Sequence, residues 1–247
     1  MKYKEFGDKT RPTIILLHGG GLSWWSLQNI TGYLQRDYHV VTPIIDGHGE
    51  DGATAFISIH DSSVNLIHYI DENYNGKVFA LGGLSLGAQI AVEVLSKRED
   101  IAQYAIIESA LVCPVKNVTW FMAPLCRLSY GLISKRWFSK LQARSLCIQK
   151  DMFEQYYSDS LNMSKESLIH MIVSNCSYIA PDALKNTKAK TLIIIGSKEV
   201  RKMDQSLRKL MDMIPDSQVC IADGMRHGEF SLVHYMEYLA VITRFMA

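Results

Sequence analysis

Short apolar runs alternate with longer amphipathic runs through most of this chain of 247 residues. The apolar runs have the length of buried strands, whereas the amphipathic runs repeat their apolar residues at helical spacing, as Val64, Ile67 and Ile70 do. This alternation is typical of a mostly parallel sheet covered by helices on both faces. The predicted strands are 13–17, 38–42, 77–81, 103–107, 191–195 and 218–222. The predicted helices in the same regions are 22–35, 60–74, 88–97, 202–213 and 231–245.

The alternation stops at Pro114 and resumes at Ala189. Nothing strand-like appears from 115 to 187, a segment rich in aromatic residues, Met and Leu. A structureless loop of that length is implausible inside a compact domain, so we predict that the segment is helical. We therefore expect an α/β core formed by residues 1–114 and 188–247, with the segment between them inserted as a helical cap, or lid. We call this segment the helical insert.

Composition narrows the class of protein. Hydrophobic residues make up 48% of the chain, charged residues 21%, and the net charge is +1, so no overall field favours nucleic acid as a partner. No apolar run has the length of a membrane span, so we expect no integral membrane association. The charged N-terminus and five cysteines without a C-x-x-C pair favour free thiols and a cytoplasmic location.

One stretch departs from this even charge balance. Residues 115–150 contain seven basic residues and no acidic one. A solvated helix face is the favoured interpretation, and attraction of an anionic substrate or surface is the alternative.

The sequence Gly-Leu-Ser-Leu-Gly at 83–87 follows a predicted strand and precedes a predicted helix. It matches the G-x-S-x-G pattern in the strand–turn–helix setting where it has a mechanical meaning. The two glycines allow a sharp turn that leaves the hydroxyl of Ser85 exposed. A hydroxyl held in this way can act as a nucleophile if a base lies within reach.

Histidine is the side chain best suited to serve as that base. Of the eight histidines, His227 lies in the loop between the last predicted strand and the last predicted helix. Loops that follow parallel strands share one edge of the sheet, so this loop and the serine turn are expected to be neighbours. His18 and His48 lie in glycine-containing turns, where shaping the loop is the favoured role.

Two carboxylates at the same edge could orient the base. Glu199 lies in the loop after the strand 191–195, and Glu108 follows the strand 103–107. Both satisfy the chain order nucleophile, acid, histidine. We favour Glu199 because its loop is free to reach toward His227, and keep Glu108 as the alternative acid.

Acyl transfer also needs donors for the oxyanion of the tetrahedral intermediate. The N–H of Leu86 is expected to be one donor, and Gly20, or failing that Gly21, supplies the other from the run His-Gly-Gly-Gly at 18–21. The alternatives for this run are a plain turn or a phosphate loop, although no phosphate-loop or dinucleotide motif is present. No dense metal-ligand pattern occurs either, so we expect no metal and no cofactor.

Taken in order, these motifs resemble those of the α/β-hydrolase superfamily, in particular small bacterial esterase/lipase-like or proline-iminopeptidase-like members. The resemblance implies a Ser85–Glu199–His227 triad and a helical cap. The short N-terminus leaves little room for the two leading strands of the full fold, so we expect about seven strands rather than eight, the first, if present, near 3–6. Glutamate stands where the family more often has aspartate. The matching segments are 18–21, 46–49, 83–87, 196–199 and 224–228.

Aromatic residues predict the nature of the substrate. Trp24 and Trp25 follow the oxyanion glycines, and Trp120 and Trp137 belong to the helical insert, so we expect them to line an apolar pocket. The predicted function is hydrolysis of a small or medium carboxylic ester or thioester, with an apolar acyl or aromatic part, through an acyl-enzyme intermediate. The alternatives are an aminopeptidase, lyase or C–C hydrolase on the same scaffold, or a ligand-binding or signalling protein without catalysis.

Overall fold

Seven strands form one sheet in the order β1-β3-β2-β4-β5-β6-β7. The structure is a computed structural model that describes residues 1–115 and 118–247, and its description of side chains does not extend to 118–121 and 202. Strand β1 is antiparallel to β3, and the remaining pairs are parallel. The predicted mostly parallel sheet of about seven strands is confirmed. The strands are β1 Lys2–Phe6, β2 Thr13–Leu17, β3 His39–Ile44, β4 Val78–Leu84, β5 Ala102–Glu108, β6 Lys190–Gly196 and β7 Ser217–Ala222.

Helices cover both faces of this sheet and fill the connection between β5 and β6. Five short 3₁₀ helices occur among the described residues, at Trp24–Leu27, Gly49–Asp51, Tyr130–Ser134, Lys150–Met152 and Asp182–Asn186. The α-helices are α1 Gln28–Leu34, α2 Ile59–Tyr74, α3 Leu86–Lys97, α4 Val118–Ser129, α5 Arg136–Ser145, α6 Phe153–Asn162, α7 Lys165–Ser177, α8 Arg201–Met213, α9 Glu229–Leu232 and α10 Tyr235–Met246.

Two predicted helices differ from the observed ones. The helix predicted over 22–35 begins as a 3₁₀ turn, in which the N–H of Ser26 donates to the carbonyl of Ser23 at 3.0 Å, and becomes α-helical only at α1. The helix predicted over 231–245 is split into α9 and α10, because the Glu229 carbonyl accepts from the N–H groups of Val233 and His234. Apolar spacing continues through such breaks and so does not detect them.

The sheet is buried on both faces because neighbouring residues of its strands point in opposite directions. In β2, Ile15 and Leu17 belong to one core cluster, which includes residues of α2 and α3, whereas Ile14 and Leu16 belong to another, with residues of α1 and α10. All four side chains are almost fully buried. Parallel strands covered on both sides have this continuous apolar character.

The helical insert packs over the carboxyl edge of the sheet. Among its described residues no strand occurs, and α4 packs against α7. A third apolar cluster contains Ala143, Cys147 and Tyr156 of the insert together with Leu22 from the loop after β2 and Leu84 at the end of β4. The insert is therefore fixed above the loops that follow β2 and β4. The division into a core and a cap domain stays a prediction.

Candidate active site

Ser85 occupies a strained turn between β4 and α3. Its backbone angles are φ 54° and ψ −111°, a region that residues other than glycine rarely adopt and that costs on the order of 1–3 kcal/mol. Its N–H donates to the carbonyl of Glu108 at 2.8 Å, which ties the turn to β5. The strain is therefore held by the sheet, and the turn directs the side chain toward the loop after β7.

The glycines on either side of this serine are required by close approach of the backbone. A Cβ on Gly83 would overlap the backbone of Gly87, and a Cβ on Gly87 would lie 2.5 Å from the carbonyl oxygen of Leu17. Any larger residue would push α3 away from β2 and β4. The G-x-S-x-G pattern thus has glycine at the two positions where the backbone of the turn leaves no space for a side chain.

His227 connects the serine to a carboxylate. Its Nε2 lies 2.9 Å from the Oγ of Ser85, and its Nδ1 lies 2.7 Å from Oε2 of Glu199. A carboxylate can only accept, so the network assigns the proton to Nδ1 and leaves Nε2 to accept from the serine hydroxyl. The side chain of His227 is 46% exposed and that of Glu199 only 1%, so the imidazole is open to a substrate while its partner is shielded.

The loops that carry Glu199 and His227 are bonded to each other. The N–H of Ser197 donates to the carbonyl of Ala222 at 3.0 Å, and the N–H of Lys198 donates to that of Met225 at 2.9 Å. These bonds extend the pairing of β6 with β7 beyond the ends of the strands. They fix the loop that carries Glu199 against the one that carries His227.

Glu199 is held by three donors. Besides His227, the hydroxyl of Ser109 donates to Oε1 at 2.6 Å and the N–H of Gly196 donates to the same atom at 2.8 Å. Burial acts to raise the pKa of Glu199, but the hydrogen bonds and the attraction to His227 outweigh it and hold the pKa below its usual value. Sequence reasoning missed Ser109, although its position directly after β5 at the same edge is a signal that could have found it.

Glu108, the alternative acid, lies in different surroundings. It is buried, its Oε1 accepts from the N–H of Ser231 at 3.3 Å, and within residues 1–115 and 118–247 no donor reaches its Oε2. Burial raises the pKa of Glu108 to about 7. It makes no hydrogen bond to His227 among those the described residues form. The geometry therefore favours Glu199 as the partner of the histidine.

The glycine run after β2 lies beside the serine turn. A Cβ on Gly20 would lie 3.6 Å from the Cβ of Leu86 and 3.0 Å from the sulfur of Met171. Among the described residues, no backbone hydrogen bond uses the N–H of Gly20 or of Leu86. Two unpaired donors close to Ser85 form an arrangement able to hold an oxyanion.

His18 and Gly21 shape this loop. The N–H of Leu22 donates to the carbonyl of Gly19 at 3.1 Å, closing a turn in which Gly21 has φ +74°. His18 accepts from the N–H of Ile45 at Nε2, so its Nδ1 donates to the carbonyl of Gly19 at 2.9 Å. Burial lowers the pKa of His18 to about 3, and the residue acts as a neutral brace of the loop.

One cavity lies at Ser85, and a second cavity shares three of its lining residues. The smaller, about 40 Å³, is bordered by Ser85, His227 and Leu146. The larger, about 200 Å³, shares Gly20, Leu22 and Leu146 with it and is mostly apolar. Its other walls are Gly21, His48, Gly49, Ile133, Gln142, Tyr156, Asp159, Ser160, Met163, Leu168, Met171 and Ile172.

The predicted tryptophan lining of this pocket needs correction. Trp24 instead donates its indole N–H to Glu50 at 3.1 Å and contacts Phe6, which places it by the antiparallel edge of the sheet. Trp137 is 64% exposed on the outer side of α5. Neither borders the two cavities. The side chain of Trp120 lies outside the described residues.

Trp25 is buried, but it supports the larger cavity without lining it. Its indole N–H donates to Oδ2 of Asp159 at 2.7 Å, and Gln155 donates to Oδ1 at 2.9 Å. Asp159 does line the cavity. Burial raises its pKa, although these hydrogen bonds oppose the shift. A buried carboxyl at this place is a polar element that the sequence pattern does not reveal.

No group of three or more His, Cys, Asp and Glu side chains in the described ranges is placed to hold a metal ion. None of the helices formed by the described residues has both the length and the apolar character needed to cross a membrane.

Comparison with protein families gives one match over most of the chain. The model of Hydrolase_4, described as serine aminopeptidase, S33, matches residues 8–231. That range includes β2 to β7, the glycine run after β2, and all three residues of the Ser85–His227–Glu199 network. A search of curated proteins finds no match.

Solved structures share the fold across the whole chain at low identity. An enol-lactonase from Burkholderia xenovorans LB400 is 14% identical with a TM-score of 0.82, over 99% of this chain and 95% of that one. A protein of the α/β-hydrolase family from Desulfitobacterium hafniense is 18% identical with a TM-score of 0.79, over 100% of both chains. A thermophilic esterase from Thermogutta terrifontis is 15% identical with a TM-score of 0.77, over 99% of this chain and 92% of that one. At these identities the likeness shows the fold.

Proposed function

Because the chain belongs to the Hydrolase_4 family (serine aminopeptidase, S33) of the α/β-hydrolase superfamily, we propose that it is a serine hydrolase acting on carboxylic esters or thioesters. The observation that carries the proposal is the continuous chain of hydrogen bonds from Ser85 through His227 to Glu199, at 2.9 and 2.7 Å. The partner expected here is a small molecule, and a cytoplasmic location remains a prediction from the sequence.

In the proposed first step, His227 removes the proton of the Ser85 hydroxyl at Nε2 while the oxygen attacks the carbonyl carbon of the substrate. Glu199 keeps the Nδ1 proton in place and stabilises the imidazolium that forms. The N–H groups of Gly20 and Leu86 hold the oxyanion. One such donor is worth about a hundredfold to a thousandfold in rate.

The intermediate then collapses and the bond to the leaving group breaks. The leaving oxygen or sulfur takes the proton from His227, and the acyl group stays as an ester of Ser85. A water molecule, deprotonated by His227, attacks the acyl carbon; the bond from that carbon to the Ser85 oxygen then breaks, the oxygen takes the proton back from His227, and the acid is released. The apolar cavity of about 200 Å³ next to Gly20 is the place we propose for the acyl part.

Asp159 gives one observation in favour of a second candidate, an aminopeptidase. Its carboxyl lines the acyl cavity and could receive a free amino group there. Both of its oxygens are already occupied, by Trp25 and Gln155, and burial raises its pKa, which weakens it as a partner for a cation. The ester or thioester function is therefore the better supported of the two.

Initial rates on matched substrates distinguish these functions. We expect wild-type protein to hydrolyse aryl esters of short fatty acids faster than aryl amides of free amino acids, and Ser85→Ala to abolish the ester activity. Faster turnover of the amino acid amides, with loss on Asp159→Asn, would establish the aminopeptidase. Ester turnover that persists in Ser85→Ala, or its absence in the wild type, would contradict the proposal.

A further inference from the structure

A second pocket lies on the outer side of the helical insert, beside the candidate active site. It has a volume of about 370 Å³, and four of its nine lining residues are basic. Arg136, Lys140 and Arg144 recur every four residues and so share one face of α5, and Lys150 follows after the helix. We call this cavity the basic pocket. Its four basic residues belong to the group of seven that the sequence contains between 115 and 150.

Most of this charge is not neutralised within the protein. Arg136 forms a bidentate pair with Glu154, the only carboxylate among the residues that line the pocket. For Lys140, Arg144 and Lys150, no carboxylate of the described residues lies within 4.0 Å of their charged nitrogens. The hydrogen bond from Arg136 and, to a lesser degree, the charge of Lys140 lower the pKa of Glu154. One carboxylate thus faces four cations around this cavity, an excess of positive charge suited to a ligand with several negative oxygens.

The base of the pocket is apolar and aromatic. Phe153, Ile148 and Ala143 line it together with the basic residues. The guanidinium of Arg136 lies 5.5 Å and the ammonium of Lys140 lies 5.9 Å from the centre of the Phe153 ring. The ring contacts both cations and helps to hold them in place, and Lys140 remains without an ion pair within 4.0 Å.

The basic pocket and the cavity at Ser85 share no lining residue, but neighbouring residues at the end of α5 border each of them. Arg144 lines the basic pocket, and the next residues, Ser145 and Leu146, line the cavity that contains Ser85. Gln149, another wall of the basic pocket, donates to the carbonyl of Leu232 at 3.0 Å, close to the loop that carries His227. The end of α5 and the turn after it therefore contact both the basic pocket and the loops around Ser85.

We propose that the basic pocket binds a phosphate group on the alcohol or thiol part of the substrate, a proposal that rests on the function inferred above. The acyl part occupies the apolar cavity, the carbonyl carbon lies at Ser85, and the phosphate-bearing part extends along the end of α5. When the serine oxygen bonds to the acyl carbon, the C–O or C–S bond breaks with its electron pair. The phosphorylated alcohol or thiol leaves with the proton from His227.

Binding tests the pocket without any need for turnover. We expect coenzyme A and inorganic pyrophosphate to bind the wild-type protein in calorimetry at low salt, and Lys140→Gln/Arg144→Gln to weaken both about tenfold or more, the effect of losing one charge-assisted hydrogen bond. The control is Arg127→Gln/Lys135→Gln, which removes the same charge from the insert at positions that do not line the pocket. It should bind as the wild type does.

Specificity tests the link to the reaction. The ratio of kcat/KM for butanoyl-coenzyme A to that for the neutral butanoyl thioester of N-acetylcysteamine should fall about tenfold or more in the pocket variant and stay constant in the control. A micellar pair, lysophosphatidate against monoacylglycerol, identifies the source of the phosphate. A higher kcat/KM for butanoyl-coenzyme A than for the neutral thioester indicates that the phosphate belongs to a soluble thiol. A higher kcat/KM only for lysophosphatidate over monoacylglycerol indicates that it belongs to a lipid headgroup.

The outcomes separate this inference from the proposed function. Thioester turnover with equal binding and equal ratios in both variants would overturn the basic pocket and leave the hydrolase in place. Binding lost only in the pocket variant, with no ester or thioester hydrolysed, would retain the anion site and overturn the proposed function. If the control variant loses as much affinity for coenzyme A and pyrophosphate as the pocket variant does, the anions are attracted by the overall charge of the insert, and the inference is overturned.

Discussion

The ends of β5 and β6 each supply a buried glutamate to the same edge of the sheet, but their surroundings differ. At the end of β6, Glu199 accepts hydrogen bonds from Ser109, Gly196 and His227, and its pKa is held low. At the end of β5, Glu108 accepts one long bond from a backbone N–H, and burial raises its pKa to about 7. Both are almost inaccessible to solvent.

Burial alone therefore does not decide which carboxylate can orient a histidine. A carboxylate supplied with donors remains charged and can stabilise an imidazolium, whereas one deprived of donors tends to take up a proton. The hydroxyl of Ser109 and the N–H of Gly196 provide this difference at Glu199. The two regions consequently lead to opposite expectations for the same substitution, glutamate to glutamine.

The largest effect is expected for Glu199→Gln. Glutamine removes the charge that stabilises the imidazolium and presents an N–H that can reverse the tautomer of His227, which costs on the order of ten-thousandfold in kcat if the serine-protease triad is a guide. Single-turnover and steady-state rates on an aryl ester measure it. Glu108→Gln, the matched control, should stay within a few fold of the wild type, and a larger loss in that control would reverse the assignment of the acid.

Glu108→Gln should instead alter stability. The folded-state pKa of about 7 lies above the ordinary value of 4.5, so the folded protein binds the extra proton between these pH values and wild-type stability falls as pH rises through this window. The shift corresponds to about 3 kcal/mol between pH 4.5 and pH 8. We expect Glu108→Gln to remove this decline in urea unfolding experiments. An unchanged pH dependence would show that the folded-state pKa is not raised.

A smaller effect is expected for Ser109→Ala. Loss of one donor to a buried carboxylate should lower kcat about tenfold and reduce stability, because the N–H of Gly196 still holds Oε1. Because the pKa of Glu199 is lower in the folded state than in the unfolded state, its charged form stabilises the fold at pH values above the unfolded-state pKa. The loss of unfolding free energy in Ser109→Ala should therefore be complete at pH 7 and should shrink as the pH falls through the range where carboxylates titrate.

Ser231→Ala, on the side of Glu108, is the matched control for that prediction. Its backbone N–H still donates to Glu108, so kcat should remain close to the wild-type value. Equal loss of kcat in the two alanine variants would remove the distinction between the two glutamates.

The strands and the loops at their carboxyl ends could be predicted from the sequence. Apolar runs of strand length are forced to be buried, and parallel strands must deliver their following loops to one edge, so Ser85, Glu199 and His227 could be placed together before any coordinates. The donors around Glu199 could not. Whether a serine such as Ser109 turns inward depends on backbone angles beyond the end of β5, which the apolar pattern does not encode.

The residues that line the pocket are harder to predict from the sequence. Trp24 and Trp137 were expected in the pocket because large aromatic residues favour enclosed sites, but Trp24 has a polar partner in Glu50 and Trp137 lies on the solvent side of α5. Helical spacing indicates which residues share a face and not which face meets the core. The walls of the acyl cavity are instead contributed by residues such as Met163, Leu168 and Met171.

The central claim is that Ser85 is the nucleophile activated by His227, and covalent labelling tests it most directly. A fluorophosphonate should add once to the intact wild-type protein, with the mass increase located by peptide mapping on Ser85. The addition should be absent in Ser85→Ala and slowed in His227→Ala, because the strained serine is reactive only with its base. A label on another residue, or none on the folded wild-type protein, would contradict the account.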